Sequence, residues 1–181
     1  MEIRCPSDCH YLAASREHPP AVIGRQRARD LEVLAAALRD LTPAEADLAF
    51  RAMALMSAHR HDGFLRSTDA DVAEAAASVA ATLETAARGV IFEHRPATVA
   101  AERLARSLRG LQAADEARRP GFESNLASAL RKVEQLARGA RETLPGGETA
   151  CLDLIERVTR QLGPPAEVES RPGDEPRIVV P

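Results

Sequence analysis

Apolar residues three and four positions apart recur through most of this chain, and nowhere do they alternate with period two over a useful length. A period near 3.6 puts such residues on one face of a helix, whereas a half-buried strand needs alternation. The chain is therefore expected to be all-α. Residue types agree. Alanine dominates the apolar set, Tyr11, Phe50, Phe64, Phe92 and Phe122 are the only aromatics, and there is no Trp. Alanine is the best helix former and aromatics favour strands. Small side chains also let helices approach closely, so the core should be Leu, Ala and Val with few large anchors.

Punctuation divides the chain. Residues 1–21 carry Cys5, Cys9, His10, His18 and the pair Pro19-Pro20, and read as an irregular segment with at most a short helical turn around Tyr11–Arg16. A first helix is expected from about Val22 to Arg39, with Leu31, Leu34, Ala35 and Leu38 as its apolar face. Thr42-Pro43-Ala44-Glu45 reads as a helix start, with Thr42 the N-cap, Pro43 in the first turn and Glu45 closing a capping box. That second helix should stop before Asp62-Gly63. Ser67-Thr68-Asp69 opens a third, expected to reach Glu93 or His94 before Pro96, with Val72, Ala76, Val79, Leu83, Ala87 and Val90 inward. Thr98 caps a fourth helix, and Arg119-Pro120-Gly121 precedes a fifth. Pro145-Gly146-Gly147 turns the chain into a sixth, from about Glu148 to Leu162, with Gly163 as its C-cap.

Amphipathic stripes joined by short connections predict an antiparallel bundle of about six helices. The domain should span 1–163, with 1–21 irregular and 22–163 helical. Residues 164–181 hold five prolines among charges and read as a disordered tail. Within that tail Ile178-Val179-Val180 is either a loose end or a short apolar docking motif able to add as a strand to a sheet edge.

The formal net charge of −3 gives no field that would call for nucleic acid or an anionic membrane. No stretch approaches the ~20 apolar residues of a membrane span. The first residues lack an apolar signal-peptide core, so a cytoplasmic setting with reduced thiols is expected. Lys132 is the only lysine among 24 basic residues. Such an Arg- and Ala-rich composition is of the kind a GC-rich bacterial genome produces.

Cys5-Pro-Ser-Asp-Cys9-His10 is the most unusual stretch. Two thiols in a proline-containing loop can turn toward one point, and structural zinc takes four N or S ligands in a tetrahedron. The expected metal ligands are Cys5 and Cys9, joined by His18 or His10. A fourth would come from His59, His61, His94 or Cys151. The alternative is a pair of free thiols with surface histidines. Cys151 itself falls on the apolar face of the sixth helix, where a free thiol behaves as a small hydrophobe.

Three other groupings stand out. His59-Arg60-His61-Asp62 closes the second helix, where cationic groups suit the helix dipole. His94 continues the stripe of the third helix and should bond a helix-end carbonyl. With Glu84 and His59 it forms the only polar set from which catalysis could be built. Arg25, Arg27 and Arg29, with Arg103, Arg106 and Arg109, read as solvated faces. No nucleophile-elbow, P-loop, dinucleotide or metalloprotease motif is present. Two functions follow as expectations: a helical protein holding a structural zinc ion at its N-terminal cluster, or a helical interaction or regulatory module that binds a protein partner or a second copy without metal.

Overall fold

The computed structural model describes residues 10–60, 66–113 and 119–162, with side chains described from 22 to 160. Six helices follow one another: α1 (His10–Leu38), α2 (Pro43–Ala58), α3 (Asp69–Ala87), α4 (Val99–Arg109), α5 (Phe122–Thr143) and α6 (Ala150–Leu162). There is no strand among the described residues.

Three threonines set where helices begin. Thr42 Oγ1 accepts the Glu45 N–H, and the Glu45 carboxylate accepts the Thr42 N–H at 2.8 Å. Thr68 and Asp71 make the same reciprocal box at the start of α3. Thr98 Oγ1 accepts the Ala101 N–H at 3.1 Å. Each cap satisfies donors the helix cannot pair internally and stabilises by about 1 kcal/mol.

Two expected helix starts move. α1 is helical from His10 rather than from Val22, so residues 10–21 are not irregular; residues 1–9 lie outside the described residues. Proline at 19 and 20 removes two intrahelical bonds, but the runs on either side are good helix formers and the helix continues through. The inward face of α1 also differs. Leu34 and Asp30 are buried, while Leu31 and Ala35 are exposed. Arg157 of α6 draws Asp30 inward at 2.8 Å, and one residue of register is about 100° of helix rotation. Secondly, α6 starts at Ala150 after a 3-10 turn over Gly147–Thr149.

The core centres on α3 and α5, which run antiparallel. Glu84 meets Arg131 at one end, and Ala73 and Ala77 face Ala137 and Arg141 toward the other. α2 starts beside the first half of α5, with Glu45 bonded to Ser128, and ends at the start of α3, where the Ser67 N–H bonds Arg60 O; it therefore runs in the same direction as α5. α4 lies along α3, also in the same direction. Thr98 at the start of α4 bonds Asp71 in the first turn of α3, and Arg109 at its end reaches Glu93, beside the last turns of α3. The arrangement thus departs from simple antiparallel alternation: two same-direction pairs pack against each other. A strap, residues 88–98, makes this possible by carrying the chain back along α3.

Between the layers Met53, Met56, Val72, Leu104, Leu126 and Leu130 are essentially inaccessible. Buried alanines on α3 and α5 bring these two helices close, as the composition implied. No described helix is long and apolar enough to cross a membrane.

Candidate functional site

The strap begins where α3 is forced to stop. Gly89 adopts φ +80°, a left-handed conformation that side chains disfavour. The Gly89 N–H bonds Ala86 O at 2.8 Å and the Val90 N–H bonds Thr85 O at 3.1 Å. This pairing closes a helix C-terminus with a left-handed residue just beyond it. α3 therefore ends at Ala87, not at Glu93 or His94, and Val90 leaves the core stripe. Glycine followed by Val-Ile-Phe and then Pro96 was the signal in the sequence. The apolar spacing masked it.

Residues 90–96 then run without turn or bend. His94 is the anchor. Its N–H donates to Thr82 Oγ1 at 2.9 Å, while Thr82 donates its own proton to Ser78 O. Thr85 Oγ1 lies 3.2 Å from His94 Nε2. Thr85 Oγ1 also bonds Ala81 O. His94 is thus held by threonine hydroxyls of the last turns of α3, not by the helix-end carbonyl expected. Further on, the Ala97 N–H donates to Glu74, and Thr98 Oγ1 donates to Asp71 at 2.7 Å. From Thr82 back to Asp71 is ~16 Å of helix, covered by a few strap residues, which requires extended chain.

Between the anchors at Val90 and His94 the strap presents its apolar side chains to solvent. Ile91 is fully exposed, Phe92 58% and Val90 51%. The Phe92 ring meets His94 edge-on, with centroids 4.8 Å apart. Glu93 pairs with Arg95 at 2.9 Å and Arg109 at 3.3 Å, and the hydrogen bonds from Arg95 hold its carboxyl below the usual range. Extended chain turns successive amides to opposite sides. The Val90 and His94 N–H groups bond α3, and those of Ile91 and Glu93 do not. Among the described residues neither has a hydrogen-bond partner.

A second cluster joins α2, α3 and α6. Asp69, buried at the start of α3, accepts the backbone N–H groups of Cys151 and Leu152 at 2.9 and 3.1 Å. It caps α6 from a different helix. Burial pushes its carboxyl up, against the pull of those two bonds, and it lies above the usual range. Arg60 bridges Asp153 at 2.6 Å and Glu156 at 2.9 Å. Beside this cluster runs a groove of about 610 Å³ between α3 and α5, with Ala73, Ala77 and Ala137 among its lining and Glu74, Arg138 and Arg141 as charged neighbours. Asp30 did not stand out in the sequence, and Asp69 and Arg60 were read there only as helix-end residues, because a buried partner is visible only once the helices meet.

The residues expected to bind metal are only partly described, and those expected to catalyse do not all come together. Cys5, Cys9 and His61 lie outside the described residues. His10 and His18 are both on α1, His59 caps α2 and His94 is on the strap. Cys151 is in the core as expected, its thiol pushed up to about 12 by burial, with Asp69 adding to the effect. Among the described residues no group of three or more His, Cys, Asp or Glu could hold a metal ion. Glu84 is paired with Arg131 through both oxygens, at 2.8 and 2.7 Å, and lies near His94. His59 is at the other end of α3, ~20 Å along the helix.

No protein-family model, curated protein or solved structure matches the chain.

Proposed function

We propose that this chain is a helical interaction module whose working surface is the outer edge of the strap, centred on Val90, Ile91 and Phe92. The observation that carries the reading is their exposure on a segment fixed at both ends. A contiguous apolar patch held open to water marks a binding surface more often than isolated apolar residues do. Because hydrogen bonds to Thr85 and Thr82 already hold the backbone, a partner that docks there orders little further chain. The amides of Ile91 and Glu93, which do not bond α3, suit an extended segment that adds as a strand, with the apolar side chains setting specificity. The reading keeps the cytoplasmic, bacterial-type setting expected from the sequence, where Cys5 and Cys9 stay reduced.

Selection of displayed random peptides on the purified full chain tests this. Enriched extended apolar peptides should bind wild type and not an Ile91→Ser/Phe92→Ser variant of unchanged circular dichroism. Equal enrichment on both proteins would overturn it.

A structural zinc ion at Cys5 and Cys9 is the second reading, and the start of α1 sharpens it. Helical rise separates His10 from His18 by ~12 Å, so one ion takes only one of them, and His10 adjoins Cys9. Zinc near one equivalent in untagged protein, lost in Cys5→Ser/Cys9→Ser, supports this; a value near zero in wild type sinks it.

A further inference from the structure

We infer that the outer edge of the strap is covered by this chain's own residues 175–180, paired antiparallel with residues 90–95. The inference rests on the reading of the strap as a docking surface and names what occupies it. Val90-Ile91-Phe92 and Ile178-Val179-Val180 are both runs of β-favouring residues in a chain otherwise built for helices.

One antiparallel register satisfies every position. Val90 faces Val180, Ile91 faces Val179 and Phe92 faces Ile178. Glu93 then faces Arg177 and Arg95 faces Glu175, two opposite-charge pairs of the kind that stabilise adjacent strands. Glu93 and Arg95 are both exposed, so each remains open to a second partner.

Proline gives a stricter check. In this register Pro176 faces His94. The His94 N–H points inward to Thr82, so His94 occupies a non-hydrogen-bonded pair, in which the opposite residue's amide also points away. A proline, which has no N–H, is tolerated at such a position on an edge strand. Ile91, Glu93 and Arg95 fall at the hydrogen-bonded pairs, opposite Val179, Arg177 and Glu175, which all have amides to offer. A slip of one residue in either direction would set Pro176 at a hydrogen-bonded position, against Glu93 or Arg95, and lose the Glu93–Arg177 pair.

Reach is sufficient. From Leu162, the end of α6, to Glu175 the chain can span ~43 Å, against ~28 Å for the whole length of α3. Pairing would shield Ile91 and Phe92 and make the tail a built-in competitor for any external segment.

Amide hydrogen exchange of the full-length protein tests the pairing. The Ile91 and Glu93 amides should exchange more than roughly tenfold slower in wild type than in an Ile178→Asp/Val179→Asp variant. An Arg95→Glu variant should lose part of the protection, and Arg95→Glu/Glu175→Arg should regain it. Equal, fast exchange in wild type and the tail variant would overturn tail pairing, while the peptide selection would still decide whether the strap binds at all. Protection that falls on dilution would overturn closure within one chain and assign the tail to a second copy.

Discussion

The carboxylate of Asp69, the first residue of α3, accepts the backbone N–H of Cys151 in α6 at 2.9 Å, and that of Leu152 at 3.1 Å. The first turn of α6 is thereby capped across 82 and 83 residues of sequence. The same carboxylate lies beside Asp153 and within the field of Arg60, so the joint between α2, α3 and α6 depends on one buried charge.

Asp69→Ala should destabilise the fold by about 2 kcal/mol, since it strips two buried N–H donors of their acceptor. The pH response carries a distinct sign. Burial raises the folded pKa of Asp69 above the ordinary 3.8. Its contribution is therefore fully present below 3.8 and is lost as pH rises through the higher folded value. Relative to Asp69→Asn, wild type should gain stability on acidification through that window. Urea unfolding of both proteins at neutral and mildly acid pH checks it.

The Asp30–Arg157 pair should respond in the opposite sense. Burial pushes the Asp30 carboxyl up, but hydrogen bonds from Arg157 and Gln26 outweigh it and the net shift is downward. Stability from this group is present above 3.8 and lost as pH falls through the lower folded value. Arg157→Met leaves Asp30 buried with Gln26 but without its charged partner and should cost about 2 kcal/mol, less than a fully buried pair because Arg157 is partly exposed. Asp30→Leu/Arg157→Met should recover part of that loss in a double-mutant cycle by thermal unfolding.

Gly89→Ala tests the stop that creates the strap. No atom lies within 4 Å of the added Cβ, so the penalty comes only from the left-handed φ of +80°. About 1 kcal/mol is expected in denaturant unfolding. Faster exchange of the Val90 amide should accompany it, since the bond to Thr85 O depends on that conformation.

Cys151 should be inert in the native protein, because only a thiolate reacts and burial holds this thiol up at about 12. In a Cys5→Ser/Cys9→Ser background a disulfide reagent should titrate no thiol at neutral pH in buffer and one after denaturation. Prompt reaction in buffer would contradict the packing described for α6.

Local chemistry was legible from the residues alone. The capping boxes of Thr42 with Glu45 and the cap at Thr98 follow from a few adjacent residues, and so do the all-helical class and the core placement of Cys151. The end of α3 was legible in principle at Gly89, yet apolar spacing carried the helix too far, because periodicity reports where a side chain would face and not whether the backbone has already turned.

What the sequence by itself determined is the set of helices and the threonine-capped starts of α2, α3 and α4, since capping and propensity act within a few residues. Only the tertiary structure decided which face of α1 turns inward, why α4 runs alongside α3, and that Val90, Ile91 and Phe92 stand open on a fixed strap. Each of these depends on a partner far along the chain: Arg157 for Asp30, Asp71 for Thr98, and Thr82 and Thr85 for the loop that ends at His94. Side-chain hydrogen bonds and ion pairs act only at contact distance, so they select among packings after the helices exist.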